Sequence, residues 1–242
     1  MISPKLTGAI ITAIVIVIGI ALLYPALHLD KLNEKNMVLL TFNIINSTNM
    51  PSWCNDLSKF LQENNIHSTM FITGKMADTY PNCVTAFSKD NDIGSMTYSY
   101  DTITSIPTRT DQLNHIKEGK AAVDKQGKLN STIFKAPRGI VDENIYSMLT
   151  QSHILADFSY NDHYNVYTDG LSGKIFYRFP MTSLDSISDS KLPVRDENVP
   201  MTVNFYNYDS VKNIQEFINL ISKEPHRFVT ASELTKMDLT IR

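Results

Sequence analysis

Short apolar or β-branched runs alternate with amphipathic stretches along most of this chain, and this order constrains its fold more than any other feature. The runs that we predict as strands are Met37–Phe42, Ser68–Thr73, Asp92–Thr97, Thr132–Lys135, Ile154–Phe158, Lys174–Phe179, Met201–Phe205 and Arg227–Thr230. The predicted helices follow Pro51, span Pro81–Ser88, Asp111–Lys125 and Asp142–Gln151, and include the apolar set Ile214, Phe217, Ile218 and Ile221. Residues 160–173 are predicted to form a long loop. Such alternation is typical of parallel strands with crossover helices, in a barrel or a doubly wound sheet.

An apolar run without a formally charged residue extends from Leu6 to Leu29. At about 1.5 Å per residue, a helix of this length crosses a hydrocarbon core of about 30 Å. A cleaved signal peptide usually has a shorter apolar region and ends at a small-x-small site, which Tyr24-Pro25-Ala26 matches poorly. We therefore expect an uncleaved signal anchor; a cleaved signal peptide and a buried core helix are the alternatives.

These observations divide the chain into an anchor at residues 1–29, a linker at residues 30–36 and one globular domain at residues 37–242. The basic residues on the two sides of the anchor are nearly balanced, so charge alone does not set the orientation. We expect a single-pass membrane protein with its globular domain outside the cytoplasm. The membrane is then a partner through the N-terminal helix.

The charge balance bears on the other partners. The 242 residues include 22 basic and 25 acidic residues, mixed along the sequence, for a formal net charge of -3. No basic stripe follows a face of the chain, so nucleic acid is not an expected partner.

Two cysteines, Cys54 and Cys83, lie near the starts of consecutive predicted helices. An exported domain would be in a compartment where disulfides persist, and a bridge between these helices is one prediction. Two buried free thiols are the alternative.

Several segments in and after the predicted strands occur in the same order along the chain as the motifs of a known protein family. They are Leu40-Thr-Phe42, His67-Ser-Thr-Met-Phe-Ile-Thr-Gly74, Tyr80-Pro81, Asp92-Ile-Gly-Ser-Met-Thr-Tyr-Ser-Tyr100, Pro137 with Gly139, and Arg227-Phe-Val-Thr-Ala-Ser-Glu-Leu234. In this order they resemble the polysaccharide deacetylase family, the NodB homology domain of carbohydrate esterase family 4. The resemblance spans about Met37 to Leu234. It implies a distorted (β/α) barrel, preceded here by one transmembrane helix, with its site at the carboxyl ends of the strands.

The same alignment implies that the family's metal site is missing. The family's Thr-Phe-Asp-Asp-Gly motif supplies a general base and a metal ligand, and this chain has Asn43 and Ile44 at those two positions. Two histidines four residues apart normally complete a zinc-type site, and Met96 and Tyr100 stand there. An amide cannot accept a proton at neutral pH, and an isoleucine side chain cannot bind a metal. We therefore expect no metal cofactor.

The remaining motif positions also depart from the family pattern. Lys135 and Arg138 stand in its third motif, and Tyr206 stands where the family has the histidine that acts as general acid. Asp162 aligns loosely with the acidic residue that tunes that histidine. If zinc or another divalent metal does bind, Asp162 and His163 are the first candidates as ligands. The other histidines are expected to be structural or solvated.

Tyrosines cluster in sequence around the predicted rim, and their aromatic faces can stack on sugar rings. Tyr98, Tyr100, Tyr160 and Tyr206 are the candidates for a glycan groove. Tyrosine is also common at strand ends, which is the alternative reading. Lys135 and Arg138 would make the site locally cationic, or they would pair with Asp157 or Asp162 as ordinary salt bridges.

Three functional hypotheses follow from this sequence. The first is a catalytically degenerate, membrane-anchored domain that binds or organises cell-envelope polysaccharide. The second is an active hydrolase that removes N-acetyl or O-acetyl groups from a polysaccharide, which means that it acts on carbon-nitrogen bonds other than peptide bonds or on esters, through an atypical site. The third is a membrane protein with a purely structural or docking role.

Overall fold

The computed structural model describes residues 37–159, 165–168, 175–178, 182–183, 200–223 and 225–237. The predicted anchor and linker lie outside these residues. No helix within them is long and apolar enough to cross a membrane.

The described strands are β1 (Met37–Ile44), β2 (Thr69–Ile72), β3 (Asp92–Ser95), β4 (Ile133–Phe134), β5 (Ala156–Asp157), β6 (Asn165–Thr168), β7 (Ile175–Arg178), β8 (Thr182–Ser183), β9 (Met201–Tyr206) and β10 (Arg227–Val229). The described helices are α1 (Met50–Glu63), α2 (Gly74–Thr79), α3 (Pro81–Phe87), α4 (Arg109–Gly127), α5 (Glu143–Gln151), α6 (Val211–Ile221) and α7 (Ala231–Lys236). Single 3-10 turns lie at Ile103–Ser105 and Pro137–Gly139.

The strands form one predominantly parallel sheet in the order β6-β7-β5-β4-β3-β2-β1-β9-β8. β1 pairs with β9 on one side, and on its other side it pairs with β10 near its start and with β2 near its end. Only the pairing of β6 with β7 is antiparallel among the described strands. The predicted barrel is therefore confirmed as a curled half-barrel of parallel strands with crossover helices.

Two apolar layers cover the two faces of this sheet because successive side chains of a strand point to opposite faces. The helix-facing cluster includes Val38, Leu40, Phe42 and Ile44 of β1, which pack against α1, α3 and α6. The interior cluster includes Met37 and Leu39 of β1 with the buried side chains Phe71, Met96, Ile133, Ala156 and Phe158. Every residue of β1 is buried, which makes it the central strand of the domain.

α4 packs unusually close to the backbone that follows β3. A Cβ atom at Gly119 would lie 2.3 Å from the Met96 carbonyl oxygen and 2.5 Å from the Thr97 carbonyl carbon. The Tyr98 amide donates a hydrogen bond to the His115 carbonyl at 2.9 Å, one turn earlier in the helix. This contact fixes the segment that carries Met96, Tyr98 and Tyr100 along the rim of the sheet.

The two cysteines are joined. Cys54 of α1 and Cys83 of α3 form a disulfide with Cα atoms 5.4 Å apart, which confirms the predicted bridge, although the unpredicted helix α2 lies between these two helices in the chain. Because the two sulfur atoms are bonded, the alternative of two free thiols is wrong. Both residues are buried in the helix-facing cluster.

The sequence prediction fails at four places, one of which is the two-residue strand β8, which was not predicted. Residues 160–173 are not a continuous loop, because Asn165–Thr168 pairs as a strand with Ile175–Arg178. α2 and α7 were not predicted, since each spans only six residues and neither shows a full amphipathic repeat. Their threonine N-caps, Thr73 and Thr230, were the available signals: each side chain accepts a hydrogen bond from the third amide of its helix.

Candidate functional site

The carboxyl ends of the parallel strands bring four of the sequence-predicted site residues to one end of the sheet. Asn43 is near the end of β1, Met96 follows β3, Lys135 follows β4, and Tyr206 ends β9. Asn43 and Tyr206 are Cα partners in the pairing of β1 with β9. This is the end at which the family resemblance places a site.

A buried polar network lies just below this rim. The Asn204 Oδ1 atom of β9 accepts hydrogen bonds from Thr41 Oγ1 at 3.0 Å, Asn43 Nδ2 at 2.9 Å and Lys135 Nζ at 2.5 Å. All four residues are buried. Three donors on one carbonyl oxygen fix the Asn204 amide with its oxygen toward the ammonium, because the reversed amide would place N–H groups against it.

The network leaves one acceptor unused. The Asn43 Oδ1 atom is buried and accepts no hydrogen bond from any described residue. The Asn43 amide cannot turn round to correct this, because its Nδ2 atom is needed by Asn204. Asn43 therefore acts as a donor at the position where the family has its general base.

Lys135 is the principal charge inside the half-barrel among the described residues. Its side chain is 5% exposed, and its ammonium lies 5.8 Å from the centre of the Phe71 ring. Burial lowers the pKa of Lys135 to about 7, and the nearby Asp157 carboxylate opposes part of that shift. The salt-bridge alternative finds partial support in this attraction, although the hydrogen-bond partner of the ammonium is Asn204.

Two of the motif positions are apolar and packed. Ile44 belongs to the helix-facing cluster, so its side chain points away from the interior of the half-barrel. Met96 is fully buried in the interior cluster, beside the partly buried Tyr100. Neither residue offers a ligand for a metal ion at this end of the sheet.

Three tyrosines meet at the rim itself. The Tyr100 phenol lies within hydrogen-bonding reach of Tyr206 and of the Arg138 backbone. Burial and the neighbouring Tyr206 phenol raise the pKa of Tyr100 above its ordinary value. The rings of Tyr206 and Tyr208 stack, with centroids 4.8 Å apart and planes inclined by 10°. Tyr100 and Tyr206 of the predicted groove are thus brought together.

The other two groove candidates are placed differently. Tyr98 packs against the helix-facing cluster, and its hydroxyl donates to the Asp78 carboxylate at 3.4 Å, so it does not join Tyr100 and Tyr206. The chain leaves β3 before position 98, so the Tyr98 ring lies on the helix side of the sheet, whereas Tyr100 packs beside the interior cluster. Tyr160 lies outside the described residues, as do Asp162 and His163.

The donor set does not fit the divalent metal that the family resemblance implies. Within the described ranges, no group of three histidine, cysteine, aspartate or glutamate side chains is arranged to hold a metal ion. The interior instead holds an ammonium, two amides and a thioether, and an ammonium beside a metal site would repel the ion.

Asn204 is the site residue that sequence reasoning missed. A signal for it was present in the sequence, because Thr202, Asn204 and Tyr206 alternate with apolar residues along β9. Both Thr202 and Asn204 are buried. That alternation places polar groups on the interior face. The aligned motif drew attention to Tyr206 alone.

Comparisons with known proteins agree with this fold. The polysaccharide deacetylase family model matches residues 30–155. A comparison with curated proteins finds no match. Among solved structures, a Mycobacterium smegmatis protein described as a polysaccharide deacetylase shares 12% identity at a TM-score of 0.66, over 84% of this chain and 90% of its own.

Two further solved structures resemble this chain, one described as an enzyme and the other as a pseudoenzyme. The peptidoglycan deacetylase PdaC from Bacillus subtilis shares 18% identity at a TM-score of 0.61, over 84% of this chain and 91% of its own. BA3943 from Bacillus anthracis, described as a pseudoenzyme of carbohydrate esterase family 4, shares 11% identity at a TM-score of 0.60, over 84% of this chain and 66% of its own. A mutant of BA3943 is described as having restored enzymatic activity. Because the family model covers more than half of the sequence, this chain belongs to the polysaccharide deacetylase family.

Proposed function

We propose that this protein is a catalytically degenerate polysaccharide deacetylase that binds or organises cell-envelope polysaccharide without hydrolysing it. One observation carries the proposal. The interior end of the half-barrel is filled by Lys135 and Asn43, which both donate to the Asn204 amide oxygen, while Ile44 and Met96 occupy apolar clusters. The description of BA3943 as a pseudoenzyme is consistent with a fold of this kind existing without catalysis.

The ligand is proposed to be a glycan because the rim presents aromatic rings beside polar groups. Tyr206 and Tyr208 form a stacked pair, and Tyr100 contacts Tyr206 from below. Aromatic faces with a polar edge suit sugar rings, which carry apolar C–H faces and hydroxyl edges. PdaC is described as a peptidoglycan deacetylase, which supports envelope polysaccharide as the class of ligand.

The first test is a metal titration of the full-length chain in detergent micelles. We expect no stoichiometric binding of Zn²⁺ or Co²⁺ and no rise in Tm with either ion, because a real site stabilises the native state by mass action. The same samples, incubated with chitotetraose and with an O-acetylated xylan, are expected to release no acetate. PdaC, assayed in parallel, is the positive control for both measurements.

Binding is scored separately on the same preparation, by calorimetry with chitotetraose and with a soluble peptidoglycan fragment. One tight ion per chain together with acetate release would restore the hydrolase hypothesis, with Asp162 and His163 the first ligands to substitute. If the protein neither binds nor hydrolyses these glycans, the purely structural role is the remaining hypothesis.

We further propose that residues 1–29 hold the protein in the membrane as an uncleaved anchor, with the described domain outside the cytoplasm. The disulfide between Cys54 and Cys83 supports an oxidising compartment. We expect full-length protein to stay in the membrane pellet after alkaline carbonate extraction, and a chain beginning at residue 37 to appear in the soluble fraction. A mature protein that starts after residue 26 by N-terminal sequencing would show a cleaved signal peptide instead.

A further inference from the structure

Tyr206 and Tyr208, here called the tyrosine platform, are stacked and open to solvent at the rim. Tyr208 is 68% exposed, and one face of its ring stacks nearly parallel to the ring of Tyr206. A hydrogen bond of 2.7 Å from the Tyr206 amide to the Asp209 carboxylate holds the turn that carries both rings. The platform is therefore a fixed aromatic surface and not a freely rotating side chain.

Arg138 adjoins this platform through Tyr100. Its backbone contacts the Tyr100 phenol, which in turn faces Tyr206. Arg138 has φ 57° and the following Gly139 has φ 70°, so a non-glycine residue is held in the left-handed region beside the rim. Its side chain is exposed, and none of the ion pairs among the described residues involves it.

Lys135 is a second basic residue on the same segment. It precedes Arg138 by three residues, and its buried ammonium donates to Asn204 and lies near the Asp157 carboxylate. The segment that follows β4 thus brings one buried and one exposed basic residue to this end of the sheet.

Two acidic groups of the described residues near the rim, Asp209 and Asp101, have local hydrogen-bond donors. The Asp209 carboxylate accepts from the Tyr206 amide, and the Asp101 carboxylate accepts from the Ser99 hydroxyl at 2.5 Å. They reduce the positive potential at the rim without forming an ion pair with Arg138.

From this arrangement we infer that the rim selects an acidic saccharide, with the sugar ring on Tyr208 and its carboxylate paired with the Arg138 guanidinium. This inference rests on the proposed function and adds the chemical class of the ligand to it. A guanidinium matches a carboxylate through two parallel hydrogen bonds, which a neutral sugar cannot form. An aromatic face alone would bind charged and neutral sugars alike.

The test compares two ligands with the same sugar rings, one carrying carboxylates and the other their neutral methyl esters. Full-length protein in detergent micelles is titrated by calorimetry with tetragalacturonate and with its methyl ester. We expect the acid to bind about 10-fold more tightly than the ester, as one charge-assisted pair of hydrogen bonds allows. Arg138→Gln should remove that preference, and Tyr208→Ala should weaken both ligands to a similar degree.

Lys89→Ala is the matched control, because it removes one positive charge from an exposed turn before β3, at the opposite end of the sheet. It is expected to leave the preference unchanged. Equal affinity for acid and ester would overturn the inference and leave the proposed glycan binding intact. If neither ligand binds, and chitotetraose and the peptidoglycan fragment fail as well, the inference and the proposed function fail together.

Discussion

Replacing Lys135 with methionine is expected to increase the free energy of unfolding by about 1–4 kcal/mol at pH 7. The ammonium is buried, and burial has already moved its pKa to about 7, so the native state either keeps a desolvated charge or gives up a proton. Methionine has nearly the same length and fits beside Phe71 and Asn204. Asn204 would keep Thr41 and Asn43 as hydrogen-bond donors, and the Asp157 carboxylate, which loses the nearby ammonium, would keep the Ser159 amide and hydroxyl.

The pH dependence gives this prediction a second readout. The pKa of Lys135 is about 7 in the folded chain, whereas the unfolded chain has the ordinary lysine pKa of 10.5. Between these values the unfolded state binds more protons, so stability rises with pH by up to about 1.4 kcal/mol per unit. Below pH 7 both states are protonated, and this group contributes no slope. Lys135→Met should lack the rise.

Urea unfolding at pH 6.5, 7.5, 8.5 and 9.5 measures both effects on wild type and variant. The series stops below pH 10 because the pKa of Tyr100 is raised in the folded state, so its ionisation in the unfolded state lowers stability above that pH. Lys120→Met is the control. Lys120 is also buried, but it pairs with Asp124 and Asn130, so its removal should destabilise the fold and keep the slope. A destabilised Lys135→Met variant with an unchanged slope would show that the ammonium is fully compensated.

The sequence was sufficient for those parts of the fold that depend on periodicity. The buried run at β1 and the helical spacing of Ile214, Phe217, Ile218 and Ile221 both predicted elements that the structure contains. Periodicity failed for α2, which is a single short stretch fixed by its Thr73 cap, and for β6, whose pairing with β7 is a tertiary contact. Local patterns do not report such contacts.

The site was predictable in position but not in geometry. The motif alignment placed Asn43, Met96, Lys135 and Tyr206 at one end of the sheet, and the structure brings them there. It could not show that Asn204 is the centre of the polar network, because that depends on the register of β9 against β1. The alignment also did not show that Ile44 faces the helices; the signal for this was strand alternation, which puts the position after Asn43 on the opposite side of the strand.

Replacing Ile44 with aspartate is expected to destabilise the domain by about 4 kcal/mol or more. The family alignment makes this substitution look like the repair of a metal ligand. Ile44 is 0% exposed and packs among the apolar side chains of the helix-facing cluster, however, so the carboxylate would be buried without a described partner. Urea unfolding at pH 7 gives the loss directly, and Ile44→Val, expected to cost about 1 kcal/mol, measures the packing contribution alone.

Asn43→Asp at the neighbouring position should cost less than Ile44→Asp. Its carboxylate would lie on the interior side, where the Lys135 ammonium favours the charged form, but an oxygen would replace the Nδ2 donor to Asn204. We expect a loss of about 1–3 kcal/mol in stability from the missing hydrogen bond, and a flatter stability profile above pH 7 because the new charge raises the pKa of Lys135. For the Ile44→Asp variant, a chain that stays folded and binds one Zn²⁺ would contradict the expected destabilisation. It would mean that the end of β1 can turn its side chain inward and that the site has lost its metal by substitution alone.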